Sequence, residues 1–212
     1  MITQKGQSIE DKSMEIIDKE IGSHSYSSDE WIIVKRIIHS TADFDFARKN
    51  KVLFHRDAIK SGINALQKGC NIIVDVNGVI GGFNKDNIKK FGNQVICNIS
   101  DPHVVEEAKK LNKTRAQTSM RLAASQMNQG IVVIGNAPTA LIEVIQMIKE
   151  GTTNPALVIG IPVGFVCAVE SKEELCTTNV PYITNIGRKG GSPCASAIVN
   201  ALYKILIAKP QS

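Results

Sequence analysis

The feature that most constrains this chain is a series of short apolar segments separated by helical patterns. "NIIVDV" (71–76), "QVICNI" (94–99), "GIVVIGNAP" (130–138), "PALVIGIP" (155–162) and "YITN" (182–185) are rich in β-branched residues and lack sustained polar alternation. A strand with one face in water alternates; a strand that is apolar on both faces is buried on both. Helical stretches fall between them, at 58–68 ending at Gly69, at about 103–111 behind Asp101-Pro102, from about Arg115 to Asn128, from Pro138 onward, and at about 194–207. Such alternation builds a parallel sheet sandwiched by helices. The expected fold class is therefore α/β, a single domain with a mostly parallel sheet of about five strands and helices on both faces.

Two amphipathic helices precede this alternation. Ser8 is placed to cap one whose Ile9, Met14, Ile17 and Ile21 share a face, with Gly22 just past its end. Ser27 and Glu30 have capping-box spacing ahead of a second, striped by Trp31, Val34, Ile37 and Ile38. No repeat, low-complexity tract or linker divides the chain. Residues 1–212 form one expected domain, with a helical segment at about 8–48 packed on the α/β core or on a partner chain. At 43% apolar content, 212 residues suit one substantial core.

Composition excludes several function classes. The net charge of +5 is spread among interspersed acids and bases, without the basic stripe that nucleic-acid binding requires. The five cysteines, Cys70, Cys97, Cys167, Cys176 and Cys194, are odd in number, far apart and free of CxxC pairs. That pattern suits reduced thiols in a cytoplasmic protein. The polar start "MITQKGQSIEDK" has no signal-peptide pattern. The longest uncharged run, "ALVIGIPVGFVCAV" (156–169), is too short to span a bilayer, is broken by Gly and Pro, and is expected to be buried core. No membrane contact is expected.

Ligands of open parallel sheets bind beyond the carboxyl ends of the strands. Those ends are glycine-rich here: "VNGVIGG", "GNAPTA", "GIPVGF" and "GRKGGSP". Glycine admits close backbone approach, and helix N-termini offer N–H groups to anions. In "GRKGGSP", Arg188 and Lys189 stand just before a helix, which makes the loop either an anion site or a tight turn with solvated charges. No Walker A or spaced GxGxxG occurs. No metal site is expected, because His24, His39, His55 and His103 lack HxxH or HExxH spacing, and Asp43 and Asp45 near His39 suit capping the next short helix. His24 and His103 are expected at the surface, and His55 as a structural residue ahead of its helix. His39, where the helical pattern of "WIIVKRIIHS" breaks into an acidic loop, is the best placed of the four for acid–base work.

Three long stretches, "VIGNAPTAL" (133–141), "PALVIGIPVGFVCAVESKEEL" (155–175) and "GRKGGSPCASAIVNAL" (187–202), together resemble one family, the precorrin-8 methylmutases of corrin (vitamin B12) biosynthesis. "VDVNGVIGG" (74–82), "NKTRAQTSMRLA" (112–123) and "SIEDKSMEII" (8–17) fall where that family has related segments, so the resemblance covers nearly the whole chain. Val76 stands where the family often has threonine, and Gly78 where methionine is common. The resemblance implies an isomerase that moves a methyl group from carbon 11 to carbon 12 of the macrocycle after its protonation. The product is hydrogenobyrinate or cobyrinate. It implies no cofactor, any cobalt belonging to the substrate, and a homodimer with active sites near the subunit interface.

Residue by residue, the resemblance makes His39 the catalytic group, and imidazoles as a class exchange protons near neutral pH. It puts Ser13 near the substrate, with an ordinary surface helix serine as the alternative. Arg115 is either a carboxylate contact or a solvated helix-start arginine. Asn136, Thr139, Arg188, Gly190, Gly191 and Ser192 either hold the carboxylate arms or simply satisfy turns and helix starts. Two rivals remain at this point: a non-catalytic tetrapyrrole carrier, and an α/β enzyme for another polyanionic ligand.

Overall fold

The β-branched runs do form a sheet. In the computed structural model, which describes residues 3–209, its strands are β1 (Val52–Phe54), β2 (Asn71–Val74), β3 (Gln94–Ile96), β4 (Ile131–Ile134), β5 (Leu157–Gly160) and β6 (Tyr182–Asn185). Their spatial order is β1-β6-β5-β4-β2-β3. All neighbours are parallel except β1, which runs antiparallel to β6 with Val52 opposite Asn185 and Phe54 opposite Ile183. The sheet thus has six strands where about five are expected. The extra one is a three-residue edge strand, too short for any period to show.

The helices before β2 are α1 (Gln4–Ile21), α2 (Ser28–Thr41) and α3 (Ala58–Gln67). Between β2 and β4 lie α4 (Asn77–Ile80), α5 (Lys85–Phe91), α6 (Pro102–Lys110) and α7 (Arg115–Leu122). The remainder are α8 (Pro138–Lys149), α9 (Ala168–Leu175) and α10 (Ser192–Ala208). Both faces of the sheet are covered. Ile72, Val74, Ile131, Val133 and Ile159 enter one core with residues of α2, α3 and α10, while Ile73, Val132, Ile134 and Val158 enter another with residues of α7 and α8. Each such side chain contributes roughly 1.5–3 kcal/mol by leaving water, which is why these strands carry no polar face.

The N-terminal helices differ in detail from expectation. The capping box of Ser27 and Glu30 forms, and Gly22 ends α1 with a positive φ of 67°. Thr3, not Ser8, caps α1; Ser8 lies exposed within the helix, and Ile9 is 59% exposed because Ile17 carries the buried face. The stretch expected as one helix from Arg115 to Asn128 breaks at Ala123 into α7 and a 3-10 turn, Ala124–Met127. The run 156–169 is buried from Leu157 to Pro162 and again at Ala168, but not between. Past β5 the chain leaves the sheet, and Val163, Phe165 and Val166 are exposed, Phe165 to 85%.

Candidate active site

The chain leaves β2 toward β3 on one side and leaves β4 toward β5 on the other. The carboxyl ends of β2 and β4 therefore form the topological switch point where open α/β sheets bind ligands. One residue closes part of that crevice. Asp75, fully buried, accepts the backbone N–H groups of Gly135 at 3.0 Å, Asn136 at 2.8 Å and Ala137 at 2.7 Å. Burial pushes its carboxyl up, against the lowering effect of those three donors. The start of α8 is thus already occupied by a carboxyl group that the protein itself supplies. Gly135 packs so closely on the first turn of α10 that a Cβ there would lie 3.1 Å from the Ser192 Cα.

Beside this point opens a cleft of about 480 Å³. Arg36, His39 and Ser40 of α2 line one wall, Gly78 of α4 and Gly82 just after it another, and Ser192, Ser196 and Asn200 of α10 the third. His39 sits within the last turn of α2, which continues to Thr41 before Ala42 ends it in the left-handed conformation. Buried Val34, Ile37 and Ile38 anchor that turn, leaving His39 exposed. Among the described residues its ring has no hydrogen-bond or ion-pair partner. α10 begins in the same cleft with no side-chain cap on its first turn.

The loop 186–191 is held from two sides. Lys172 of α9, only 2% exposed, donates to the carbonyls of Gly187 at 2.9 Å and Lys189 at 2.6 Å. Desolvation lowers its pKa from 10.5 to about 8. The Lys189 ammonium reaches Asp43 at 2.7 Å and Asp45 at 2.8 Å, which ties the loop to the segment just after His39. Hydrogen bonding to Lys189 holds the Asp45 carboxyl below its ordinary value. Gly190 packs against the Ile161 carbonyl, where a Cβ would clash, and the Gly191 N–H donates to that oxygen at 2.9 Å. The two carboxylates expected to cap the short helix do more than that: Asp43 accepts the Asp45 N–H, and both neutralise Lys189.

Of the residues singled out in the sequence, His39 and Ser192 meet in the cleft. Gly190 and Gly191 shape the loop that leads to Ser192. Arg188 is exposed, its guanidinium 5.6 Å from the Phe165 ring. Arg115 lies exposed at the start of α7, beside Thr114, whose hydroxyl is 3.1 Å from that of Thr139. Asn136 is exposed, with its backbone N–H committed to Asp75. Ser13 does not line the cleft, and its hydroxyl donates to the Ile9 carbonyl at 2.8 Å within α1. His55 accepts the Asp57 N–H at 3.2 Å ahead of α3, as a structural residue would. Sequence reasoning missed Asp75, Lys172 and Arg36, whose roles depend on distant segments.

Glycine-rich loops gathered at the switch point, beside one unpartnered imidazole, define an α/β protein with a cleft at the ligand-binding edge of its sheet. The comparisons make the class specific. A family model described as precorrin-8X methylmutase matches residues 8–205. A cobalt-precorrin-8 methylmutase of Priestia megaterium is 52% identical over 95% of this chain and 88% of its own length. One from Leptospira interrogans is 49% identical, over 95% of this chain and 94% of its own. The crystal structure of a precorrin-8x methyl mutase from Thermus thermophilus superposes with a TM-score of 0.88 at 39% identity, covering 95% of this chain and 96% of that one. The chain belongs to the precorrin-8X methylmutase family. It is an isomerase, an intramolecular methyl transferase of vitamin B12 biosynthesis.

Proposed function

We propose that the chain shifts the methyl group from carbon 11 to carbon 12 of a precorrin-8 macrocycle bound over the switch point, with His39 as the proton donor. The observation that carries this is an unpartnered imidazole in a glycine-walled cleft at the edge where α/β sheets bind ligands. His39 gives a proton to the macrocycle, the methyl migrates, and a proton returns, so atoms and electrons balance without an added cofactor. Cobalt, where present, belongs to the substrate. The two curated relatives described above are both named for a cobalt-bearing substrate, which supports the cobalt form here.

The substrate's carboxylate arms need cations and N–H donors. Arg115 and Arg188 are exposed and, among the described residues, have no carboxylate partner. The uncapped start of α10 at Ser192 offers N–H groups beside His39, with the helix dipole favouring an anion there. Asn136, Thr139 and Ser13 supply polar side chains farther out. A rigidly held ring is worth much of the rate in a unimolecular rearrangement, and Gly190 and Gly191 serve this by letting the doubly anchored loop pack tightly.

A homodimer suits the exposed apolar side chains. The Trp31 face is covered within the chain, by stacking on His24 at 4.0 Å and by a hydrogen bond to Asp18 at 2.7 Å. Phe165 and Val166, at 85% and 79% exposure, and Ile9 and Ile16 of α1 are not covered. No described helix is long and apolar enough to cross a membrane, and a cytoplasmic location is part of the proposal.

Single-turnover conversion of the substrate tests the role of His39. His39→Ala and His39→Asn should fold and bind the corrin product yet lose about 10²–10⁴-fold in turnover, the usual share of a positioned proton donor. Near-wild-type conversion by either variant would make His39 a helix end and nothing more.

A further inference from the structure

α8 starts at the switch point and also holds a second helix in place. Thr139 and Glu143 stand one turn apart on one face of it, and each grips one of two consecutive residues in the turn before α7. The Thr114 hydroxyl is 3.1 Å from that of Thr139, and the Lys113 ammonium donates to both oxygens of Glu143, at 3.3 and 3.2 Å. The next residue in the chain is Arg115, the first of α7. The rest of this turn faces outward: Leu111 is 56% exposed, and Asn112, also exposed, takes a left-handed φ of 50°.

Glu143 is 1% exposed, so its charge has to be matched inside the protein. Arg121, near the far end of α7, matches it through Nε and reaches Glu150 with its other nitrogens. That pairing joins the bodies of α7 and α8. Lys113 lies outside both helices. A cation there fixes the one end of α7 that carries Arg115, and Thr114 closes the same end in a capping box with Gln117. Arg115 itself is exposed and has, among the described residues, no hydrogen-bond or ion-pair partner. A helix–helix bridge alone explains Arg121 but not a second anchor placed two residues before a free guanidinium.

We propose that Lys113 and Glu143 are positioning residues for Arg115. With the Thr114–Thr139 contact they clamp the start of α7 to α8 at two points, so that the guanidinium meets the substrate's carboxylate arms from one direction. The inference rests on reading Arg115 as a carboxylate contact. A guanidinium grips a carboxylate through a planar fork, which is directional, so an arginine on an unclamped turn loses part of that grip. The pair touches no substrate. It acts on affinity through Arg115 and leaves the chemical step at His39 alone.

The test is a double-mutant cycle read by titration with cobyrinate, followed by its visible absorbance, alongside steady-state kinetics. Lys113→Met keeps the aliphatic stem and leaves Glu143 paired with Arg121, so the helix pair stays joined. It should weaken cobyrinate binding and raise KM by about 3–10-fold with kcat nearly unchanged, within the coupling expected for residues of one network. Lys113→Arg should restore most of that affinity. In an Arg115→Ala background, with no guanidinium left to position, Lys113→Met should change nothing further. Unchanged affinity in Lys113→Met overturns the proposal, as does a loss that adds in full to that of Arg115→Ala, or one that Lys113→Arg does not restore. Each of these leaves the reading of Arg115 standing. Wild-type affinity in Arg115→Ala would instead overturn that reading, and the positioning role with it.

Discussion

Replacing Lys172 with methionine separates the cost of burying a charge from the benefit of anchoring a loop. Lys172 is 2% exposed, and among the described residues no carboxylate partners it. Cys194, the titratable group that acts on it, is a thiol that burial pushes up to about 12 and so is neutral. The ammonium is left with two carbonyls, and desolvation brings its pKa down to about 8 from 10.5. The unfolded chain therefore binds more protons than the folded one between those values, and this group makes stability rise with pH across that window. At about 1.36 kcal/mol per unit, the penalty is about 3 kcal/mol, fully present below pH 8 and relieved above about pH 10.5.

Methionine keeps the length and loses the charge, so the variant lacks this pH dependence. Against the gain at neutral pH stand the amine's hydrogen bonds, each worth about 1 kcal/mol net. The Lys189 carbonyl keeps the Asn185 amide at 3.0 Å, so only the Gly187 carbonyl loses its side-chain donor. Urea denaturation at a series of pH values should show wild type gaining about 3 kcal/mol on Lys172→Met between pH 7 and 10.5, with the order of stability reversing within that range. A difference that stays flat with pH would refute the claim that a desolvated ammonium sits under this loop. At pH 7 the variant should be as stable as wild type or more so, yet slower by on the order of 10²-fold, because the loop that sets Ser192 has lost an anchor and small displacements of a site are costly. Full turnover would mean that the Lys189 bridge to Asp43 and Asp45 holds the loop by itself.

Asp75→Asn keeps the shape of the side chain but offers one acceptor oxygen to three N–H donors, and should lower the unfolding free energy by about 2–4 kcal/mol in urea titration. A loss below about 1 kcal/mol would show that water satisfies those donors instead. Phe165→Asp removes the most exposed large apolar side chain from the proposed dimer face, and should shift sedimentation at micromolar concentration from dimer toward monomer. A dimer of undiminished stability would place the interface elsewhere.

The parallel strands are legible because burial on both faces leaves an uninterrupted apolar signature in a few residues. β1 is not, since three residues carry no period and only the Asn185–Ile183 segment of β6 gives them a partner. The loop after β5 misleads for a related reason. "IPVGFV" has the composition of a core strand, but Pro162 and Gly164 take the chain out of the sheet and leave Phe165 in the open. Lys172 is invisible within "ESKEEL", which has the look of a solvated helix face. Its burial is decided by a loop that starts fifteen residues later. His39 could be singled out as the best placed of four, but its cleft depends on where α10 begins, and no local pattern carries that information.

The same long-range pairing changes how the anion signals of this sequence are understood. The start of α8 is one such signal, and Asp75 occupies it. The cation just before α10 is another, and Asp43 and Asp45 neutralise it. These groups hold loops in register at the switch point instead of meeting a ligand. What the proposed function leaves for a polyanionic substrate is the uncapped first turn of α10 and exposed Arg115 and Arg188. Both of these cations are arginines. Arginine grips a carboxylate through a planar fork, so it fixes direction as well as charge. A rearrangement within one molecule gains most from a ring held in one orientation, and the pattern of which charges are spent internally and which are left free is consistent with that demand.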